Sequence, residues 1–354
     1  MAVESRTEQD VLGLIERVKA KPLRFRDDQI TMAHGAGGKA TLTLIEGLLA
    51  PTLHLEELDD AATLGELALT TDSFVVKPIR FTGGSIGVLA VNGTVNDLAV
   101  SGARPLALTL SLVLEEGLPA EDLRAEIEAV AQAAEAAGVR VIAGDTKVVE
   151  RGRCDSMYVT TTGIGRIDKR GRLSPESLQP GDHMLVSGPI GEHGTAIMLA
   201  RGEFELDAPV ESDTQSLWPA VDALLGAAGP SLRCLRDATR GGLASVANEL
   251  ARSSGVGIVV READVPVSAA VKGACEILGI DPMYVANEGR LVAFVASEAA
   301  GDALAALRSV PGAESAAVVG EVTAEPPGLV LVETAFGGRR VMDLLVGDPL
   351  PRIC

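Results

Sequence analysis

The segment Gly144-Asp145-Thr146-Lys147 sets a carboxylate two residues from an amine, and in a strand those side chains share a face. A carboxylate so placed can hold a divalent cation, and the ammonium can neutralise charge on a transferring phosphoryl group or a leaving oxygen. Other carboxylates extend the theme. Asp59 and Asp60 lie in a short acidic turn, Asp72 follows the run 67–71, and Asp97 sits off the apolar stripe of its helix. Asp145 is expected at the end of a strand over 139–143. Asp60, Asp72, Asp97 and Asp145, at strand ends and on one helix face, can converge on Mg²⁺, which takes oxygen ligands and bridges nucleotide phosphates. Each taken singly is also explained as a cap or turn residue.

His34-Gly35-Ala36-Gly37-Gly38-Lys39 precedes a helix carrying Leu42, Ile45 and Leu49 on one face. Glycines let backbone N–H groups crowd an anion, and a helix start adds a favourable dipole, so the loop could cradle phosphate. It matches neither the Walker nor the Rossmann pattern, and a flexible turn is the other reading. Asp237-Ala238-Thr239-Arg240-Gly241-Gly242 introduces another helix. Asn287-Glu288-Gly289 precedes a strand, with Glu288 either a base or a solvated loop carboxylate. The chain stops at Cys354 on the segment Gly-Asp-Pro-Leu-Pro-Arg-Ile, whose prolines disfavour helix and central strand. Extended, residues 347–354 reach on the order of 25 Å, so that thiol can visit a distant pocket.

The elements that must position these groups are legible from periodicity. Leu106, Leu108, Leu110, Leu112 and Leu114 alternate as in a half-buried strand. A helix follows, from Pro119 with Glu121 and Asp122 in its first turn to a stop at Gly138. Strands are expected over 139–143 and 157–167, and Val88, Val91, Val95 and Leu98 mark a helix with Asn96 and Asp97 beside its stripe. A Gly, Ser and Pro-rich stretch over 169–181 reads as a linker. Beyond it come strands near 184–187, 257–260, 291–296 and 315–322, and helices near 194–200, 215–225, 241–251, 269–278 and 299–307. The class is α+β: two mixed domains over 30–168 and 181–346, an extension at 1–29 with a short amphipathic helix near 11–18, and a mobile tail at 347–354.

The 354 residues carry a net charge of −18, which repels nucleic acid and anionic membrane surfaces and calls for divalent cations at any polyphosphate site. No long uncharged apolar run occurs, and the reading is a soluble cytoplasmic protein. Cys154, Cys234 and Cys275 lack zinc-ligand spacing and read as small buried hydrophobes.

Together, the segments at 34–38, Thr71-Asp72-Ser73, 81–84, Asn96-Asp97-Leu98-Ala99, 144–148, 237–242, 287–289 and the terminal Pro351-Arg352-Ile353-Cys354 resemble the HypE family of hydrogenase maturation proteins, from about residue 30 to the end. That family belongs with the aminoimidazole ribonucleotide synthetase-like proteins, which pair an N-terminal ATP-binding domain with a C-terminal domain and dimerise through the N-terminal sheets. The resemblance implies that a HypF-type carbamoyltransferase carbamoylates Cys354. ATP with Mg²⁺ then drives dehydration to a thiocyanate, and the cyanide passes to iron on a HypC and HypD complex. It implies catalytic roles for Cys354, Lys147 and Glu288, nucleotide contacts from His34, Gly35, Gly37, Gly38, Asp72, Asn96, Asp145 and Asp237, metal ligation by Asp60, Asp72, Asp97 and Asp145, and a homodimer. The rival readings are another ATP-using relative, such as a selenophosphate synthetase, thiamine phosphate kinase or purine-pathway synthetase, and a non-catalytic adaptor whose tail docks on a partner.

Overall fold

A computed structural model describes residues 23–55, 58–202 and 208–346. The helix expected near 11–18 and the tail 347–354 with Cys354 lie outside the described residues. Helix α1 (Lys39–Leu44) continues through a π turn (Ile45–Leu49) into a last helical turn (Ala50–Leu53). Strands β1 (Ala62–Leu64), β2 (Leu67–Phe74) and the small pair β3 (Arg80–Phe81) and β4 (Gly84–Ser85) lead to α2 (Ile86–Val100). Then come β5 (Ala103–Glu115), α3 (Ala120–Ala136), β6 (Arg140–Val149) and β7 (Met157–Ile167). The first sheet has the order β1-β2-β7-β5-β6, antiparallel except for β5 and β6.

The leucine alternation of β5 is a record of this packing: Leu108, Leu112 and Leu114 are buried, against α2 and α3. Pro119 caps α3 and Gly138 takes the left-handed turn after it, at φ +68°. Strand β6 runs through Gly144 to Val149, so Asp145 and Lys147 sit inside the strand and not after an end at Ala143. An edge strand exposed along nearly its whole length has no buried face to set an apolar period, which is why its second half is silent in the sequence.

The second domain runs β8 (His183–Val186), α4 (Glu192–Ala200), α5 (Trp218–Ala227), β9 (Leu232–Asp237), α6 (Gly242–Ser254) and β10 (Gly257–Arg261). It continues through α7 (Ala269–Leu278), β11 (Leu291–Val295), α8 (Ala300–Arg308), β12 (Ala317–Thr323), β13 (Val330–Glu333) and β14 (Arg339–Met342). Its sheet has the order β14-β13-β10-β12-β8-β11-β9, with only β10 and β13 parallel. The stretch read as a linker is tied down: Leu178 is buried in this domain's core and Ser174 donates its N–H to Arg233 O.

Helix α2 is the hinge pin of the architecture. It is apolar almost all round, as a helix enclosed on every side must be, and it packs on the first sheet while Ala99 and Val100 join a core cluster of the second domain. Gly93 is needed for the fit, because a Cβ there would stand 2.7 Å from the Phe74 ring. Burying Leu89, Val91, Val95 and Leu98 stabilises this contact by roughly 1.5–3 kcal/mol per side chain.

Candidate active site

Four carboxylates face one another where the domains meet. Asp97 projects from α2, Asp72 from β2, Asp60 from the acidic bend, and Asp237 from the end of β9 in the second domain. Burial pushes Asp237 up to about 8, with the charges of Asp60 and Asp72 adding to the rise. Burial also holds Asp97 well above the usual carboxylate range, helped by Asp237, Asp60 and Asp72, although Thr70 Oγ1 donates to Asp97 Oδ2 at 2.8 Å. Asp60 is raised by burial and by Asp59, against the pull of Arg236.

Arg236 offsets part of this charge. One guanidinium nitrogen donates to Asp59, and another stands 3.2 Å from Asp60 Oδ2, an ion pair whose alignment falls outside a hydrogen bond. Asp59, Asp60, Asp72, Asp97 and Asp237 against one guanidinium leave a net negative site, in which Asp60, Asp97 and Asp237 resist ionisation. That donor set, hard oxygen and excess charge, fits a hard divalent cation. Among the described residues, no group of three or more His, Cys, Asp or Glu is drawn together closely enough to hold a metal ion alone.

Asp145 and Lys147 lie elsewhere. Asp72, Thr161, Leu110 and Gly144 form one cross-strand row, and Thr161 donates its hydroxyl to Ala90 O of α2, so this row faces the helix. Ser73, Thr160, Ser111 and Asp145 form the next row, which therefore faces away. Lys147 shares that open face and donates to Asp145 at 2.5 Å, holding the Asp145 carboxyl below its ordinary value. Their side chains are 61% and 67% exposed. The fold thus brings Asp60, Asp72, Asp97 and Asp237 together and leaves Asp145 across the sheet.

Glu288 is buried at 3% exposure, not solvated. Its N–H donates to Asp213 Oδ1 at 3.0 Å and its carbonyl accepts from Asn96 Nδ2 at 3.2 Å. Asn96 also donates to Gln215 O at 3.0 Å and accepts from Leu217 N at 2.7 Å, so its amide links α2 to the second domain. Asp213 is pushed up to about 6 by burial, with Arg290 pulling the other way.

In the glycine loop, His34 is buried, bonded through Nε2 to Asp27 at 2.9 Å and edge-on to Phe25. Gly35 O meets Arg240 Nη1 at 3.5 Å, Gly37 O accepts from Ser245 Oγ at 2.9 Å, and Gly38 packs on Leu345. Cys154, Cys234 and Cys275 are buried thiols as their spacing implied, with Cys234 pushed up to about 12 by burial. Arg236 and Asp213 were invisible to sequence reasoning. The only trace of Arg236 is the Arg-Asp pair closing an apolar strand, and its partners Asp59 and Asp60 are far away in the chain.

Two domains, each a mixed sheet with helices, meeting at an acidic site define the class. Residues 58–167 match the AIR synthase related protein N-terminal domain, and residues 179–332 match the corresponding C-terminal domain. Carbamoyl dehydratase HypE of Rhodobacter capsulatus is 48% identical over 341 residues, covering 94% of this chain and 100% of that protein. A crystal structure of a HypE-HypF complex superposes with a TM-score of 0.82 at 44% identity, covering 85% of this chain and 99% of that one. Another, of the hydrogenase maturation protein HypE in complex with ATP, gives 0.78 at 43% identity, with 92% and 100% covered. The chain belongs to the HypE family of carbamoyl dehydratases. Among the described residues, no helix is long and apolar enough to cross a membrane.

Proposed function

We propose that this chain uses ATP to dehydrate an S-carbamoyl group on Cys354 to a thiocyanate, in the cytoplasm, and so supplies the cyanide ligands of the [NiFe]-hydrogenase iron centre. The observation that carries the reading is the carboxylate group Asp60, Asp72, Asp97 and Asp237, built by both domains, with Asp60, Asp97 and Asp237 held above their ordinary pKa range by burial, in a chain of the HypE family. The ATP-bound relative supports the nucleotide, and the HypE-HypF complex supports a HypF-type carbamoyltransferase as the donor. The acceptor is iron on a HypC and HypD complex.

Mg²⁺ held by Asp60, Asp72 and Asp97 would offset phosphate charge, and Asp145, across the sheet, would reach such an ion only from a second copy; the ion keeps waters and phosphate oxygens as ligands and asks for few carboxylates. The residues of the chain do the rest. The carbamoyl oxygen displaces ADP from the γ-phosphorus, losing one amide proton as the C=N bond forms. The second nitrogen proton leaves as the C–O bond breaks, releasing phosphate and completing the C≡N bond. Glu288 is the base for the nitrogen proton. Lys147 orients the phosphorylated oxygen.

Lys147 on the open face and Glu288 beyond α2 do not meet within one chain. A shared role at one tail needs a second copy against the open face, which is the homodimer reading. The hydroxyl rows Thr71 with Thr162 and Ser73 with Thr160 give that face its surface. Intact mass after incubation with the carbamoylating partner and ATP tests the chemistry: one carbamoyl is gained and then one water lost, both mapped to Cys354. A carbamoyl that stays intact under ATP refutes it, and a Glu288→Gln chain that dehydrates at full rate removes Glu288 from its role.

A further inference from the structure

The glycine loop does something its sequence does not suggest. Its donors are largely committed: Gly37 N–H to Thr41 Oγ1 at 3.0 Å, Ala36 N–H to Ala33 O at 3.5 Å, and Lys39 N–H to Leu345 O at 3.0 Å. The Lys39 ammonium donates to Asp343 Oδ2 at 2.8 Å. Helix α1 holds α geometry for only six residues before its π turn, too short to lend much dipole to an anion.

What the glycines permit is close approach. Gly38 has ordinary extended backbone, but a Cβ there would stand 2.7 Å from Leu345 O. Gly37 is left-handed, at φ +75°, and a Cβ there would stand 2.7 Å from Arg240 O. The chain from Met342 to Leu345 is gripped from the other side as well. Asn248 Nδ2 donates to Met342 O at 3.0 Å, and Tyr284 Oη donates to Asp343 O at 3.0 Å. Ser245 Oγ ties Gly37 to α6, the helix that also carries Asn248.

We propose that the loop Gly35–Lys39 is a clasp on the chain at Asp343–Leu345, and that Gly38 and Lys39 are positioning residues for the reaction at Cys354, not a phosphate cradle. This rests on the dehydration reading above. The nine residues from Val346 to Cys354 follow the point the clasp fixes, and a chain of that length spans at most on the order of 30 Å. A displaced anchor changes how often the modified sulfur meets the site, since the encounter of a tethered group depends on the geometry of its tether.

Gly38→Val presses a branched side chain against Leu345 O. Lys39→Ala, Lys39→Arg and the swap Lys39→Asp with Asp343→Lys leave the backbone untouched and keep the test open where Gly38→Val fails to fold. On chain carbamoylated beforehand, Gly38→Val slows single-turnover loss of water by about tenfold at saturating ATP, because small displacements of reacting groups are costly. Lys39→Ala slows it by about two- to fivefold, the worth of an exposed ion pair, while Lys39→Arg and the swap restore the rate. The dissociation constant of a non-hydrolysable Mg-ATP analogue stays within about twofold throughout, since on this proposal the loop acts on the chain at Asp343–Leu345 and not on phosphate. Loss of nucleotide affinity with an unchanged saturated rate overturns the clasp in favour of a cradle. A second readout is independent of activity: tryptic release of Ile353-Cys354 after Arg352, followed by intact mass, quickens in Gly38→Val and Lys39→Ala. Unchanged release overturns the clasp even where the wild-type chain proves unable to dehydrate a carbamoyl group.

Discussion

Asp237→Asn separates the two things a buried carboxylate group does, which are to strain the empty protein and to receive a cation. Asp237 is 8% exposed and raised from 3.8 to about 8, mainly by burial. An acid raised in the folded state keeps its proton where the unfolded chain has lost it. Its contribution to stability is therefore whole below about pH 4 and is lost progressively as pH rises from about 4 to 8, at about 1.4 kcal/mol per pH unit. At pH 8 the loss is on the order of 5 kcal/mol, and at pH 5 about 1–2 kcal/mol. Asparagine does not ionise and escapes this loss, but burying its amide without a matched partner costs about 1–3 kcal/mol. Asp237→Asn is thus more stable than wild type by about 2–4 kcal/mol at pH 8 without Mg²⁺, and close to it at pH 5.

Urea denaturation at the two pH values, with and without Mg²⁺ and a non-hydrolysable ATP analogue, measures both halves. The wild-type chain gains more from Mg²⁺ and nucleotide at pH 8 than at pH 5, because bound cations favour the ionised carboxylates. The variant gains less at pH 8. A variant less stable than wild type at pH 8 in the absence of Mg²⁺ would refute the argument that Asp237 is held against its own ionisation.

Mixing Lys147→Ala chains with Glu288→Gln chains, each inactive alone, restores about a quarter of wild-type dehydration when the two residues serve one tail from different copies, and nothing when they serve it from the same copy. Asn96→Ala strips partners from Leu217 N–H, Gln215 O and Glu288 O, and lowers stability by about 2–4 kcal/mol in urea. Native thiol titration with a bulky disulfide reagent labels Cys354 rapidly and leaves Cys154, Cys234 and Cys275 unreacted until denaturant is added, since those three are buried.

Local pattern made most of the fold legible. The leucines of β5, the Pro119 and Gly138 limits of α3 and the valines of α2 each report a buried face that a single element must present. Strand β14, Arg339-Arg340-Val341-Met342, escaped notice because its arginines pair with Glu333, Glu262 and Asp281, so its first half shows no apolar period. The site was half legible for a related reason. The sequence groups Asp60, Asp72 and Asp97 with Asp145, which β6 instead carries across the sheet, while Asp237, a nucleotide contact by sequence, joins the group because β9 ends against α2 and the acidic bend. Asn96 looks in sequence like any polar residue on a helix facing a ligand. Whether such a side chain meets a ligand or a neighbouring domain's backbone depends on contacts more than a hundred residues away.

The carboxylate group is tolerable only because the rest of the interface is so favourable. Left to themselves, Asp60, Asp72, Asp97 and Asp237 would push the two domains apart, and a surface-exposed version of the site would relax by letting water between them. Helix α2 prevents this. Its apolar sides are sealed into both domains and its Asn96 is bonded to three backbone groups of the second, so the carboxylates stay close and buried, and Asp237 is raised to about 8 by burial and by the charges of Asp60 and Asp72. On the proposed reading, a cation would enter such a site in exchange for protons, without having to draw the domains together first. Loosening α2, for instance by Gly93→Ala against the Phe74 ring, should therefore lower the pH at which Asp237 gives up its proton as well as the stability of the fold. Titration of that carboxyl by NMR in the variant and the wild type distinguishes this coupling from a purely local defect, in which only stability falls.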